Sequence, residues 1–366
     1  MVFDTWPRSR AVRAAIRRTY ALRHAVGLRS HGERAFLASI KACDAIVYCG
    51  GGYLNDSYNM RLLLSIIELT LGTGVPHMAY AHSVGPITRP HSIRNIRSVL
   101  NRFQLVTVRD EASFGLLQDL GVRPDRLELL ADAALAMNME EGSTMSEGDL
   151  KSLQAIQSFK RAHGVAPLVF MSVRSWRFPG HADSPALERN LRVQLTRLVR
   201  DILATTDWSI CFVSTCQGRP EYAYDDSVVA HQLVADLGDT QSRVMVSNHS
   251  FAPRTFPYLI RTCADLVISM RMHLTIFSLL GGVPFVAIAY ERKSTELCKA
   301  LGIGEFCQEA AGFDAGSGVQ AALRLYAQRV SLSERLRSKR DEFVALSRRN
   351  ASLLVKRCLS VPARVS

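Results

Sequence analysis

Arg271 and His273 stand two positions apart, where an apolar run gives way to a helical pattern. The run Asp265–Met270 reads as a buried strand. After Arg271-Met272-His273 comes a helix-like segment, then Gly281-Gly282-Val283-Pro284, then a second buried strand, Phe285–Tyr290, with Lys293 just beyond it. A fixed cation and a titratable imidazole therefore sit where a strand hands over to a helix. In open α/β sheets that edge is where ligands bind, and the helix N-terminus beside it favours anions. The pair predicts chemistry on a negatively charged small molecule.

Elements able to position such a pair run along the whole chain. Asp44–Cys49 reads as a short buried strand followed by Gly50-Gly51-Gly52, and Met60–Leu71 as a helix. Pro76–His82 reads as the next strand, halted by Gly85-Pro86. Leu105–Arg109 is another, with Asp110 capping a helix that ends at Gly121, and Leu127–Leu130 follows. Strands alternating with helical patterns predict a parallel sheet with helices on both faces. The polar, acidic stretch Met139–Asp149 reads as an interdomain linker. A second alternating series takes in Pro167–Val173, Trp208–Ser214, Arg243–Val246 and the segment described first. Beyond about residue 318 the pattern is helical with basic faces. The expected architecture is α/β: two Rossmann-like halves facing a cleft, residues 1–145 and 150–325, with a helical tail over 326–366.

The 366 residues are 48% hydrophobic and 21% charged, an ordinary globular balance, with a formal net charge of +12. Such an excess suits nucleic acid, anionic lipid or acidic substrates and does not choose among them. Much of it lies at the two ends, from Arg8 to Arg29 and from Arg335 to Arg357, as solvated helical faces or as contacts with an anionic membrane or a phosphorylated carrier. No groove-reading helix or stacking-aromatic module accompanies it, so nucleic acid is not an expected partner. The eight cysteines are scattered, without CxxC or zinc-like spacing, which points to a reducing compartment and no metal site. No stretch reaches the ~18 uninterrupted apolar residues that span a bilayer. The expected location is cytoplasmic, or peripheral to the inner face of the membrane.

Several segments together resemble the polysaccharide pyruvyl transferase family. They are Asp44-Ala-Ile-Val-Tyr-Cys-Gly-Gly-Gly-Tyr-Leu, His82-Ser83-Val84-Gly85-Pro86 and Val106-Thr107-Val108-Arg109-Asp110-Glu111-Ala112-Ser113. Leu120-Gly121-Val122 and Ala131-Asp132-Ala133 follow, then Ile268-Ser269-Met270-Arg271-Met272-His273 with Gly282-Val283-Pro284, Tyr290 and Lys293. Each piece alone is weak; their joint order over residues 42–305 carries the likeness. The family pattern also has a strand and loop well before the Gly triplet. Here the triplet arrives at residue 50 after basic, helical sequence, so an incomplete first half is expected.

The resemblance implies a glycosyltransferase-B-like fold. It also implies transfer of the carboxyvinyl group of phosphoenolpyruvate onto two hydroxyls of a saccharide, free or lipid-linked, as a cyclic ketal with release of phosphate, and no cofactor. On that reading Arg271 and Arg174, the latter just after strand Phe170–Val173, form an anion clamp, because planar guanidinium bonds such groups bidentately. His273 is the general acid for the methylene or base for a hydroxyl. Gly50, Gly51 and Gly52 either make a tight turn or let backbone approach a phosphate or sugar. Ser83 shapes the cleft floor, Lys293 contacts phosphate or is simply solvated, and Asp225 and Asp226 bind sugar hydroxyls. Arg109 and Asp110 pair with each other and cap a helix. Two rival readings share these features: a nucleotide-sugar glycosyltransferase, and a catalytically silent binding protein.

Overall fold

The computed structural model describes residues 31–56, 58, 60–139, 144–217 and 225–360. The basic sequence before residue 31 lies outside them. The described strands form two sheets, both wholly parallel. Leu168–Ser172, Ser209–Phe212, Leu266–Ser269 and Phe285–Ala289 are buried at every residue, as strands covered by helices on both sides require.

Helix α1 (His31–Lys41) leads to β1 (Ile46–Tyr48), α2 (Met60–Leu71), β2 (His77–His82), α3 (Pro90–Leu100), β3 (Leu105–Val108), α4 (Glu111–Asp119) and β4 (Leu127–Leu129). The first sheet has the sequential order β1-β2-β3-β4. Right-handed crossovers between neighbouring strands put α2, α3 and α4 on one face. Leu64, Ile67, Ile96, Val99, Leu100 and Leu117 from these helices accordingly share one core with Ala79 and Val106.

The second series is α5 (Glu147–Ala162), β5 (Leu168–Ser172), α6 (Ser184–Thr205), β6 (Ser209–Phe212), α7 (Asp226–Ala235), β7 (Val244–Val246), α8 (Phe256–Cys263) and β8 (Leu266–Ser269). It continues with α9 (Met272–Gly281), β9 (Phe285–Ala289), α10 (Arg292–Ala300), β10 (Cys307–Glu309), α11 (Ala315–Ala327) and α12 (Arg329–Leu359). The sheet order is β10-β9-β8-β5-β6-β7, so the winding reverses between β5 and β8. Ligands in such sheets bind outside the carboxyl ends of the strands at that reversal.

Two expectations need correction. The acidic end of the expected linker is helix: Ser146 caps α5 by accepting from Asp149 N at 3.1 Å. Asp149 is buried in the first turn, where it accepts from Thr255 Oγ1 at 2.6 Å and sits 2.6 Å from His249 Nε2. Strand β10 was not expected, because Cys307-Gln308-Glu309 has no apolar run; edge pairing with β9 makes it extended. The expected helical tail is present as α12, and it packs onto the first sheet. α12 runs back across β2 and β3 of the first sheet. There Thr107 Oγ1 donates to Asn350 Oδ1 at 2.6 Å, Asn350 Nδ2 donates to Ala131 O at 3.0 Å, and Ser347 Oγ donates to Asp132 O at 2.7 Å. Asn350 and Ser347 are fully buried, and each satisfies a backbone carbonyl of the Ala131-Asp132 pair.

Candidate active site

The reversal of the second sheet carries the residues of interest. β5 and β8 lie side by side with Ser172 opposite Ser269, and their hydroxyls are 2.8 Å apart. Arg174 follows the first strand and Arg271 the second. Ser269 Oγ accepts from Arg271 N at 3.0 Å and donates to Arg271 O at 2.8 Å, and Ser172 Oγ lies 3.3 Å from the same N–H. The two serines thus fix the backbone of Arg271, extended at φ −96°, ψ 118°, as the N-cap of α9. The glycines at the far end of this helix have separate tasks. A Cβ on Gly281 would lie 2.7 Å from Pro257 O, so only glycine lets α8 and α9 approach. Gly282 ends the helix in the left-handed region, φ 76°.

The guanidinium of Arg271 is already engaged. Its Nε donates to Asp226 Oδ2 at 2.7 Å and its Nη2 to Asp226 Oδ1 at 2.5 Å, a bidentate pair. The Asp226 side chain is 1% exposed and that of Arg271 15%. Burial alone would make Arg271 easier to deprotonate, but the Asp226 carboxylate holds its affinity for the proton well above the usual arginine range. Asp226 is therefore a counter-ion, not an exposed ligand for sugar hydroxyls. Its neighbour Asp225 caps α7 by accepting from Ser227 N at 2.8 Å.

Arg174 is held differently. Its guanidinium carbon lies 4.8 Å from the Trp176 ring centroid and 4.4 Å from that of Tyr290, and its Nε donates to Ser175 O at 3.2 Å. Two aromatic faces orient it by cation–π attraction, and among the described residues no carboxylate pairs with it. Lys293 Nζ is 2.6 Å from Glu291 Oε2. A Cβ on Gly52 would meet that same Nζ at 3.9 Å, so the Gly triplet and Lys293 face each other across the gap between the sheets. The other two glycines are packing requirements: a Cβ on Gly50 would be 2.6 Å from Ala81 O, and one on Gly51 2.6 Å from the Tyr53 ring. Arg292, next to Lys293, closes the gap on one side by donating to Val84 O at 3.1 Å.

His273, in the first turn of α9, is exposed to water at its surface while protein from both halves surrounds it. Enclosure lowers its proton affinity; Asp132 opposes this, while Arg109, Lys293 and Arg271 add to it. Asp132 and Arg109 come from the first sheet. Arg109 Nη1 pairs with Asp132 Oδ2, and Arg109 Nε donates to Ser83 Oγ at 2.8 Å. Ser83 in turn donates to Asp110 Oδ2 at 2.6 Å. Burial pushes the Asp132 carboxyl up, but Arg109 and His273 outweigh it and leave it below the usual range. Arg109 and Asp110 therefore do not pair with each other. Asp110 caps α4 by accepting from Ser113 N at 2.8 Å, and Ser83 is the hydroxyl that links the two residues.

A second histidine lies beneath the Gly triplet. His82 is fully buried at the end of β2; its Nε2 donates to Tyr48 O at 3.0 Å, and its Nδ1 has no partner among the described residues. Burial pulls its pKa from 6.5 down to about 4. Between those values the unfolded chain takes a proton that the folded one refuses, so stability falls as pH drops. The loss approaches roughly 3 kcal/mol near pH 4. Urea unfolding at pH 7 and pH 4.5 should show it, and His82→Gln should remove about that part of the pH dependence.

The polysaccharide pyruvyl transferase model matches residues 3–292. The chain belongs to that family. Over 283 residues it is 23% identical to the amylovoran biosynthesis protein AmsJ of Erwinia amylovora, covering 77% of this chain and 65% of that protein. Among solved structures, Anabaena Alr3699/HepE in complex with UDP superposes with a TM-score of 0.55 at 13% identity, covering 88% of this chain and 82% of that one. A putative UDP-N-acetylglucosamine 2-epimerase from Listeria monocytogenes gives 0.60 at 11% identity, covering 91% and 81%. The fold is thus that of the glycosyltransferase-B-like group. Among the described residues no cluster of three or more His, Cys, Asp or Glu could hold a metal ion.

Within this family member, sequence reasoning missed Asp226 as the partner of Arg271, the Trp176–Tyr290 cage, and the Asp132–Arg109 pair beside His273. Only the cage left a trace in the sequence: Trp176 is two residues from Arg174, and Tyr290 directly follows β9, a strand two places away from β5 in the sheet.

Proposed function

We propose that this chain transfers the pyruvyl group of phosphoenolpyruvate to two hydroxyls of a saccharide, free or lipid-linked, in the synthesis of an exported polysaccharide. The observation that carries the reading is the convergence of Arg174, Arg271 and His273 on the adjacent carboxyl ends of β5 and β8 in a member of this family. In this reading a proton adds to the donor methylene, which becomes a methyl group and leaves positive charge at the central carbon. One saccharide hydroxyl bonds to that carbon, the carbon–oxygen bond to phosphate breaks, and a second hydroxyl closes the ketal. The two hydroxyl protons balance the one consumed and the one carried off by phosphate. Arg174 binds the donor anion, because its charge is not already matched. Arg271, tied to Asp226, adds positive potential and a fixed edge rather than a free clamp. Lys293 flanks the donor from the same half as Arg174, Gly52 faces it from the opposite wall, and His273 moves the proton.

The test is donor choice. Purified protein with labelled phosphoenolpyruvate and a panel of saccharides bearing neighbouring hydroxyls should give labelled saccharide and stoichiometric phosphate. Arg174→Ala should lower kcat/KM for the donor by about 10²–10³, the range for a lost electrostatic donor. Arg174→Lys should recover little, since an ammonium does not reproduce a planar cation stacked between two rings. The likeness to structures holding UDP supports a second reading, a nucleotide-sugar donor. Label moving from UDP-sugars and not from phosphoenolpyruvate would establish that one and sink the first.

A further inference from the structure

The outer face of the first helical layer is a surface the cleft does not use. α2 reads MRLLLSIIELTL, with only Arg61 and Glu68 charged. Met60, Leu64, Ile67 and Leu71 point into the core. The ridge on the opposite side of the same helix is Leu62, Ile66 and Leu69, with Leu62 49% and Ile66 38% exposed. A helix on the surface of a water-soluble domain carries polar residues there, and a contiguous apolar ridge marks a face that meets a partner. Helix α3 packs alongside α2 and has no acidic residue. The centre of its outward face is Arg94 with Arg97 and His91, all exposed. Between Met60 and Gln104 there are five arginines (61, 89, 94, 97 and 102) against the single carboxylate of Glu68. None of the five pairs with a carboxylate among the described residues.

We propose that this α2–α3 face docks on an anionic lipid bilayer. An apolar ridge calls for hydrocarbon and adjacent unpaired arginines call for anionic headgroups, and a bilayer surface offers both side by side. A second copy of the chain fits poorly, because a two-fold contact through this face would set the α3 arginines against each other. Docking here is peripheral, since no helix among the described residues is long and apolar enough to cross a membrane. The basic excess noted in the sequence lay at the chain ends; the charge that sits beside exposed apolar side chains is this central one. The proposal extends the reading of a lipid-linked acceptor, but its test uses no donor or acceptor, so either idea can fail alone.

The full chain is sedimented with vesicles of phosphatidylcholine and of phosphatidylcholine mixed with phosphatidylglycerol. Binding is expected only to the mixed vesicles and should weaken as salt rises. Arg94→Gln/Arg97→Gln should lower the partition coefficient roughly thirtyfold, and Leu62→Ser/Ile66→Ser should lower it comparably. Both pairs face outward, and an unchanged Tm confirms the fold. Arg337→Gln/Arg348→Gln on α12 should bind as the unaltered chain does. Absence of binding to the mixed vesicles, equal binding to both compositions, or unaltered binding by the α2 and α3 variants would each overturn the proposal.

Discussion

Asp226→Ala is expected to destabilise the protein by about 3–5 kcal/mol, the cost of leaving one partner of a buried ion pair uncompensated. The pair is bidentate and nearly dry, so water cannot replace the carboxylate. Arg271→Ala should cost a similar amount, which separates it from an ordinary binding-residue variant: lost turnover would come with lost stability. The two single variants should not add. With both charges gone neither is stranded, and the double variant should lie well above the sum in urea unfolding. pH gives an independent sign. Burial pushes the Asp226 carboxyl up and Arg271 pulls it back. Without Arg271 the carboxyl should hold its proton to higher pH, so the Arg271→Ala deficit should shrink as pH falls. Additive single effects below about 1 kcal/mol would mean that the pair is solvated in solution.

His273→Asn is expected to lower kcat by about 10²–10⁴, the usual contribution of a positioned acid or base, with little change in Tm because the ring is exposed. The pH profile should assign its role. Enclosure holds His273 below its ordinary pKa, so near neutrality most of it carries no extra proton. If it protonates the donor methylene, kcat/KM should rise as pH falls towards that lowered value and level off below it. Donor binding adds negative charge nearby, so the same limb in kcat should lie at higher pH. If His273 instead removes a hydroxyl proton, the limb should run the other way. The Asn variant should flatten whichever limb appears. An unaltered profile in the variant would remove His273 from the proton transfer.

Strand–helix alternation and the Arg271–His273 handover were legible because both rest on local patterns: apolar runs, glycine punctuation and a change of period. Donor-side geometry was partly legible for the same reason, since a residue just past a buried strand can only lie at the sheet edge. What was hidden lies in pairings between distant positions. Nothing near Asp226 signals that it faces Arg271, 45 positions on, and its polar surroundings suggested a solvated loop instead. Asp132 and Arg109 were read as a motif and a cap, yet they come together because β3 and β4 are adjacent in the sheet. The glycines divided likewise. Gly50 and Gly51 answer to packing that no local rule reveals, and only Gly52 is open towards the opposite wall.

The bond from Thr107 to Asn350 joins positions 243 apart. At synthesis rates of about 5–20 residues per second, roughly 12 to 50 seconds separate the emergence of one from the arrival of the other. Throughout that interval the backbone carbonyl of Ala131 lacks the Asn350 amide, and the threonine has only its contacts within the sheet. The half made first is therefore the half that matures last. A nascent-chain protease assay should find it open until α12 is free of the ribosome.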